Sequence, residues 1–149
     1  MSPWVVLVDL DHDADCAPLL LTSWLPNPAS RMCFRVVVHA LEAWLLADRE
    51  HLARFLGVAI ARIPRSPETV DDPKRTMVEL ARHSHRREMR EDMVPRAASG
   101  RIVGSAYTSR LIEFVGDAVD GWRPEVAATL SDSLDRCLRS LRRLVQGTG

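Results

Sequence analysis

The feature that most constrains this chain is a short apolar run that ends in alternating acids: Trp4-Val5-Val6-Leu7-Val8-Asp9-Leu10-Asp11. Four consecutive apolar residues, three of them valine, are typical of a β-strand that is buried on both faces. Asp9 and Asp11 are spaced by two, so they lie on one side of the extended chain, about 6–7 Å apart. Two carboxylates this close repel each other unless a cation or a proton lies between them. The pattern therefore indicates a divalent-metal site or, alternatively, a helix N-terminus that collects acids.

A second apolar run predicts the partner strand of a small sheet. Residues 35–39 read Arg-Val-Val-Val-His, and Leu19–Trp24 between the two runs predict a helix. A strand–helix–strand unit of this kind has parallel strands and a right-handed crossover. Parallel strands end at the same edge of the sheet, where open α/β folds bind their ligands. Glu42 follows the second strand, so we expect it near Asp9 and Asp11.

Glu42 is the most unusual residue in the first half of the sequence. It lies in the predicted helix Leu41–Ala47, which is otherwise apolar and is therefore expected to be buried. A buried carboxylate is costly unless it has a partner. A metal ligand or an acid/base group is one interpretation of Glu42, and an acceptor of hydrogen bonds from a nearby helix terminus is the other. Asp48, by contrast, is expected to cap a helix that Gly57 ends.

Residues 58–149 are predicted to be mostly helical. In Asp72-Pro73-Lys74, the aspartate is expected to cap a helix whose first residue is the proline. Lys74 would then lie in the first turn, where it could face a phosphate. The polar run 82–92 holds arginines that could contact the nucleic-acid backbone, although such a run is also typical of a solvated helix. These candidate nucleic-acid contacts are Lys74, Arg86, Arg87 and Arg90.

The composition is that of one globular domain. The chain has 149 residues, of which 46% are hydrophobic and 27% charged, with a formal net charge of zero. Residues 1–50 carry seven acids against three arginines, whereas residues 51–100 carry ten basic residues against seven acids. An acidic centre beside a basic region suits a metal site that acts on phosphates. No apolar run approaches the roughly 18 residues that span a bilayer. Three scattered cysteines are expected to be free thiols in the cytoplasm.

Two familiar metal-site and phosphate-site motifs do not fit the acidic stretch. The acids at positions 9, 11, 13 and 15 have the spacing of a calcium loop, but Ala14 and Leu20 occupy the positions of its glycine and bidentate glutamate. An aspartyl phosphatase of the haloacid dehalogenase type has threonine or valine where Asp13 stands. A glycine-rich phosphate loop is also missing from the sequence.

The fuller pattern resembles an uncharacterised bacterial family, the domain of unknown function numbered 4276, which is related to the Toprim (topoisomerase–primase) fold. The resemblance extends over nearly the whole chain. It rests on four segments of this sequence: Val6-Leu7-Val8-Asp9-Leu10-Asp11, Glu42-Ala43-Trp44-Leu45-Leu46-Ala47-Asp48, Pro67-Glu68 and Asp72-Pro73-Lys74.

The resemblance implies a Mg²⁺ or Mn²⁺ site in which Asp9 and Asp11 hold the ion and Glu42 is an acidic neighbour. It also implies an ATPase partner in a phage-defence system. Toprim domains open with an earlier strand that ends in a glutamate, the general acid/base, whereas only three residues precede the aspartate strand here. Glu42 is the candidate to replace that glutamate.

Taken together, the sequence predicts an α/β domain with a small parallel sheet, flanking helices, and a helical C-terminal half. Residues 1–57 form its βαβ core with the acidic site. The expected function is a Mg²⁺-dependent, phosphodiester-cleaving subunit of nuclease type. The alternative is a non-catalytic subunit that keeps the fold and docks on an ATPase. The isolated chain is expected to be weak or inactive, because the glutamate of the Toprim pattern has no counterpart before the aspartate strand. It is also expected to associate with itself, because a strand edge left open invites pairing.

Overall fold

The structure is a computed structural model that describes residues 4–9, 17–27, 29, 31–37 and 40–146, with only the backbone of residues 17–20. Its first elements are the strand β1 (Trp4–Asp9), the helix α1 (Ala17–Trp24) and the strand β2 (Met32–Val37). The remaining helices are α2 (Leu41–Ala47), α3 (Arg49–Leu56), α4 (Pro73–Arg82), α5 (Arg87–Met93), α6 (Tyr107–Gly116), α7 (Pro124–Ala127) and α8 (Asp132–Gln146). Two short 3-10 turns, Ile60–Arg62 and Pro67–Thr69, lie between α3 and α4.

The two strands form a parallel sheet, as the strand–helix–strand pattern predicts. Their register runs from Trp4 opposite Met32 to Asp9 opposite Val37. β2 begins three residues earlier than the predicted strand, and Val38 and His39 lie outside the described residues. The described chain is mixed α/β with a helical C-terminal half, which confirms the predicted class at that level.

The prediction that the first strand is buried on both faces is wrong. Trp4, Val5 and Leu7 are 67%, 49% and 45% exposed, whereas Val36 and Val37 of the neighbouring strand are buried. The reason is the order of the layers: α1 and α8 both pack on β2. In the described part of the chain the sheet has two strands, so β1 is an edge strand whose apolar side chains are left partly in solvent.

Local capping follows the sequence prediction closely. Asp72 accepts a hydrogen bond from the backbone N–H of Arg75 at 2.8 Å, and Pro73 is the first residue of α4. Gly57 ends α3 in the left-handed region at φ 68°. A side chain there would be strained, and it would also approach His85 and Arg86 closely. The two helix caps span only a few residues, which is why a sequence pattern suffices to find them.

The helix α2 lies between two groups of buried side chains. On one side, α2 packs with α3, α4, α5 and α6 around Phe114, whose ring stacks on Phe55 with the centroids 4.9 Å apart. On the other side, Trp44 packs with Val37 and with residues of α7 and α8. Cys33 and Cys137 are buried free thiols. Because both groups fix α2, the direction of Glu42 is fixed as well.

None of the helices in the described residues is long and apolar enough to cross a membrane.

Candidate active site

A cavity of about 700 Å³ opens where β1 ends, and three of the sequence-predicted site residues line it. These are Asp9 at the end of β1, Glu42 in the first turn of α2, and Lys74 in the first turn of α4. The rest of the wall is mainly apolar and comes from α2, α6 and the segment before α6. Asp9 and Glu42 are 33 positions apart in the chain, and Glu42 and Lys74 are 32 positions apart. All three nevertheless line the same cavity.

Asp9 connects the strand to the helix that carries Glu42. Its Oδ1 accepts a hydrogen bond from the backbone N–H of Leu41 at 2.9 Å, and Leu41 is the first residue of α2. The N-terminal N–H groups of a helix lack partners within the helix, and a carboxylate there is stabilised by the helix dipole. Asp9 therefore fixes the start of α2 and holds Glu42 beside it.

Glu42 is 6% exposed and has a defined partner. The hydroxyl of Tyr107 donates a hydrogen bond to its Oε1 at 3.0 Å, between α6 and α2. Burial, together with the charge and hydrogen bond of Glu42 and the charge of Asp72, raises the pKa of Tyr107 far above its ordinary value. The hydroxyl therefore keeps its proton at neutral pH and well above it. It can only donate to Glu42, and this fixes the carboxylate.

Sequence reasoning did not find Tyr107 as a site residue. The spacing of Tyr107 with Leu111, Phe114 and Val115 is typical of the apolar side of a helix, which by itself indicates core packing. One indication was available: Tyr107 is the only tyrosine in the chain and Glu42 is an acid expected to be buried. Periodicity cannot show that the two meet, because 65 residues separate them.

Lys74 is exposed and follows Pro73 at the start of α4. It is the only lysine in the chain and the one cation among the described residues that line the cavity. The cavity therefore has a positive group on one wall and two carboxylates on others. That arrangement can attract a cation and a phosphate into the same space.

The expected carboxylate cluster is described in part. Asp11 lies outside the described residues, and so do Asp13 and Asp15. Among the residues that the structure describes, no group of three or more His, Cys, Asp or Glu side chains is placed to hold a metal ion. Asp9 and Glu42 supply two oxygen-donor side chains to one cavity, and the participation of Asp11 stays a prediction.

The three arginines proposed for nucleic-acid contact lie apart from this cavity, at or in α5. The guanidinium of Arg86 donates to the carbonyl of Phe55 at 3.1 Å, and that of Arg90 donates to the carbonyl of Ser84 at 2.5 Å. Both therefore hold neighbouring backbone. Arg87 forms an exposed ion pair with Glu91 at 2.7 Å. Nucleic-acid binding by these residues stays a prediction.

Two further carboxylates stabilise the helices around the site. Asp48 is fully buried at the junction of α2 and α3, where it caps α3 and pairs with Arg123 at 2.7 Å. Burial alone would raise the pKa of Asp48, but the hydrogen bonds and the charge of Arg123 outweigh burial and lower it. Glu68 accepts from the hydroxyl of Ser131 at 2.8 Å and from the backbone N–H of Ser133 at 2.9 Å. It thereby caps the N-terminus of α8 from a distant loop.

Comparison with known proteins gave no match to a family model, to a curated protein or to a solved structure. The resemblance described above therefore rests on its four sequence segments. Of the residues in these segments, Asp9, Glu42 and Lys74 line the cavity, while Asp48, Glu68 and Asp72 cap helix termini.

Proposed function

We propose that this chain is a Toprim-like subunit that cleaves phosphodiester bonds with the help of Mg²⁺ or Mn²⁺. The observation that carries the proposal is the cavity shared by Asp9, Glu42 and Lys74. Two carboxylates for a hard cation and one ammonium for a phosphate are the groups that such a reaction needs.

The donor set suits a hard divalent cation. Asp9 and Glu42 offer carboxylate oxygens, and the described residues that line the cavity include no cysteine or histidine that would favour a softer metal. These two residues would hold the ion, with Asp11 as the proposed third ligand. When bound, the ion would supply positive charge next to the phosphate and make a water molecule more acidic.

The protein side chains would divide the remaining work. Lys74 would neutralise phosphate charge and orient the substrate from the start of α4. Glu42 is the candidate proton acceptor, because the attacking water must lose a proton and a carboxylate is a group that can take it. Tyr107 would act as a positioning residue, since its hydroxyl bond to Oε1 leaves Glu42 little freedom to rotate.

A second candidate function has an observation in its favour. The cavity rim carries the apolar side chains of Ile102, Ile112 and Val115, which are 75%, 67% and 47% exposed. Exposed apolar clusters are typical of protein–protein contact sites. These residues support the alternative of a non-catalytic subunit that docks on an ATPase.

The experiment is a cleavage assay with the purified chain at high concentration on plasmid DNA, single-stranded DNA and RNA. We expect weak cleavage that requires Mn²⁺ or Mg²⁺ and that Asp9→Asn and Glu42→Gln each abolish. Glu88→Gln, which changes an exposed carboxylate on α5 away from the cavity, is the matched control and should keep that activity.

The outcomes separate the two candidates. Cleavage that persists in Asp9→Asn would contradict the proposed site. Complete inactivity would favour the docking subunit if the chain also forms a stable complex with an ATPase. That complex should still form in Asp9→Asn and Glu42→Gln. Robust cleavage by the isolated wild-type chain would contradict the expectation that it is weak alone and would make Glu42 the leading acid/base.

A further inference from the structure

A second cavity, of about 330 Å³, lies at the opposite end of the sheet from Asp9. It is formed where β2 begins and where the last turns of α8 pack against it. Its charged lining consists of three arginines: Arg31, Arg35 and Arg143. The described residues that line it include no carboxylate. Three guanidinium groups around one small cavity repel each other unless an anion lies between them.

The arginines of this cavity differ from their neighbours on α8 in how they are paired. Three other arginines of that helix form ion pairs, Arg136 with Asp132, Arg139 with Asp135 and Arg142 with Glu125. Among the residues that the structure describes, Arg31, Arg35 and Arg143 form no ion pair with a carboxylate. Within the described part of the chain, no carboxylate neutralises their charge.

Two of these guanidinium groups are already oriented. Arg35 and Arg143 both donate hydrogen bonds to the hydroxyl oxygen of Ser140, which in turn donates to the carbonyl of Arg136 at 3.0 Å. The Nε of Arg35 is shielded from solvent and has no hydrogen-bond partner among the described residues. A buried donor without a partner is costly, and a ligand oxygen reaches this one only after the Arg35 side chain shifts.

We infer that this arginine cavity binds a phosphate group. Guanidinium groups bind tetrahedral oxyanions through paired N–H donors, and a phosphate has enough oxygens and charge to engage all three arginines. The volume admits a phosphate together with part of the molecule that carries it. The carrier is a small phosphorylated molecule or a nucleic-acid backbone, which share this chemistry. The site is separate from the Asp9 cavity and does not depend on the function proposed for it.

The test is a calorimetric titration of the full chain with three probes: inorganic phosphate, a mononucleotide, and a single-stranded oligonucleotide without terminal phosphates. We expect phosphate to bind and the affinity to fall as salt is added. Arg31→Gln and Arg143→Gln should each weaken binding about tenfold, the loss that one charged hydrogen-bond donor typically brings. Binding of the oligonucleotide as well would assign the site to backbone phosphates, and its failure to bind would assign it to terminal phosphates.

Arg139→Gln is the matched control, since it lies on the same helix but is paired with Asp135 outside the cavity. It should keep the wild-type affinity. Arg143 is exposed, so its variant is expected to fold, and a thermal melt checks this. Absence of phosphate binding in the wild type, or equal affinity in wild type and a folded Arg143→Gln, would overturn the inference.

Discussion

Burial, charge and hydrogen bonding act together on one hydroxyl at Tyr107. The side chain is 4% exposed, and its hydroxyl donates a hydrogen bond to Glu42. Its raised pKa means that the proton is released more easily from the unfolded chain than from the folded one. The stabilising contribution is therefore complete below the unfolded pKa of about 10 and is lost as pH rises above it.

The first prediction concerns the titration of Tyr107. Because it is the only tyrosine, the near-ultraviolet absorbance of tyrosinate reports on it alone. The folded protein should show no tyrosinate at about pH 10, whereas the urea-unfolded chain titrates at that value. Tyr107→Phe should flatten the loss of thermal stability at alkaline pH. An absorbance rise centred at about pH 10 while the fold is intact would contradict the described contact.

Asp48 shows the opposite case, a carboxylate whose pKa is lowered. Its stabilising contribution is present above the unfolded pKa of about 3.9 and is lost as pH falls through the lower folded value. The two oxygens accept three hydrogen bonds from Arg123 and one from the backbone of His51.

The second prediction is that Asp48→Asn lowers the free energy of unfolding by about 2–4 kcal/mol near neutral pH. Removing one partner of a fully buried ion pair costs about 3–5 kcal/mol. The expected loss is smaller here because Arg123 is partly exposed and keeps some hydration. The loss of stability between about pH 4 and pH 2 should be shallower in the variant, because this carboxylate no longer titrates. Urea unfolding across this pH range measures both. Equal curves for the two proteins would exclude the proposed role.

At the scale of elements, the sequence predicts what is local and misses what is distant. The caps at Asp48 and Asp72 bond groups three residues away. The polar run 82–92, expected to be one solvated helix, is divided by a turn in which Ser84 is buried against the carbonyl of Leu56. That contact depends on tertiary packing, which the charge pattern does not contain.

Glu68 is the clearest distant contact between elements. It lies in the 3-10 turn before α4 and yet satisfies both hydroxyl and N–H donors at the start of α8. Glu68 therefore acts as a carboxylate at a helix N-terminus, brought there from 63 residues away.

The third prediction is that Glu68→Ala destabilises the protein by about 1–3 kcal/mol, because several donors lose their shared acceptor. Hydrogen exchange in the first turn of α8 should rise with it. Glu88→Ala, an exposed site in the first turn of α5, is the control and should change stability by less than about 0.5 kcal/mol. Unchanged exchange at α8 in Glu68→Ala would show that the cap is dispensable.

At the scale of the whole molecule, the sheet and the site differ in how far they could be predicted. The parallel pairing followed from the strand–helix–strand order, but the exposure of β1 did not, because it depends on which strand the helices cover. Exposed Trp4, Val5 and Leu7 on an edge strand favour self-association, which stays a prediction. Asp9 and Glu42 were expected near one sheet edge, and both line the cavity there. Tyr107, by contrast, comes from a helix whose position only the tertiary fold defines.

Calorimetric measurement of Mn²⁺ binding decides whether Asp9 and Glu42 belong to one divalent-cation site. We expect the wild-type chain to bind Mn²⁺ weakly, with Asp9→Asn and Glu42→Gln each reducing the affinity at least about tenfold, since each removes one charged ligand. Glu88→Gln should bind as the wild type does. Each amide keeps an oxygen that can accept the hydrogen bond from Leu41 or Tyr107, so both variants are expected to fold. Equal Mn²⁺ affinity in the wild type and both cavity variants would contradict the account.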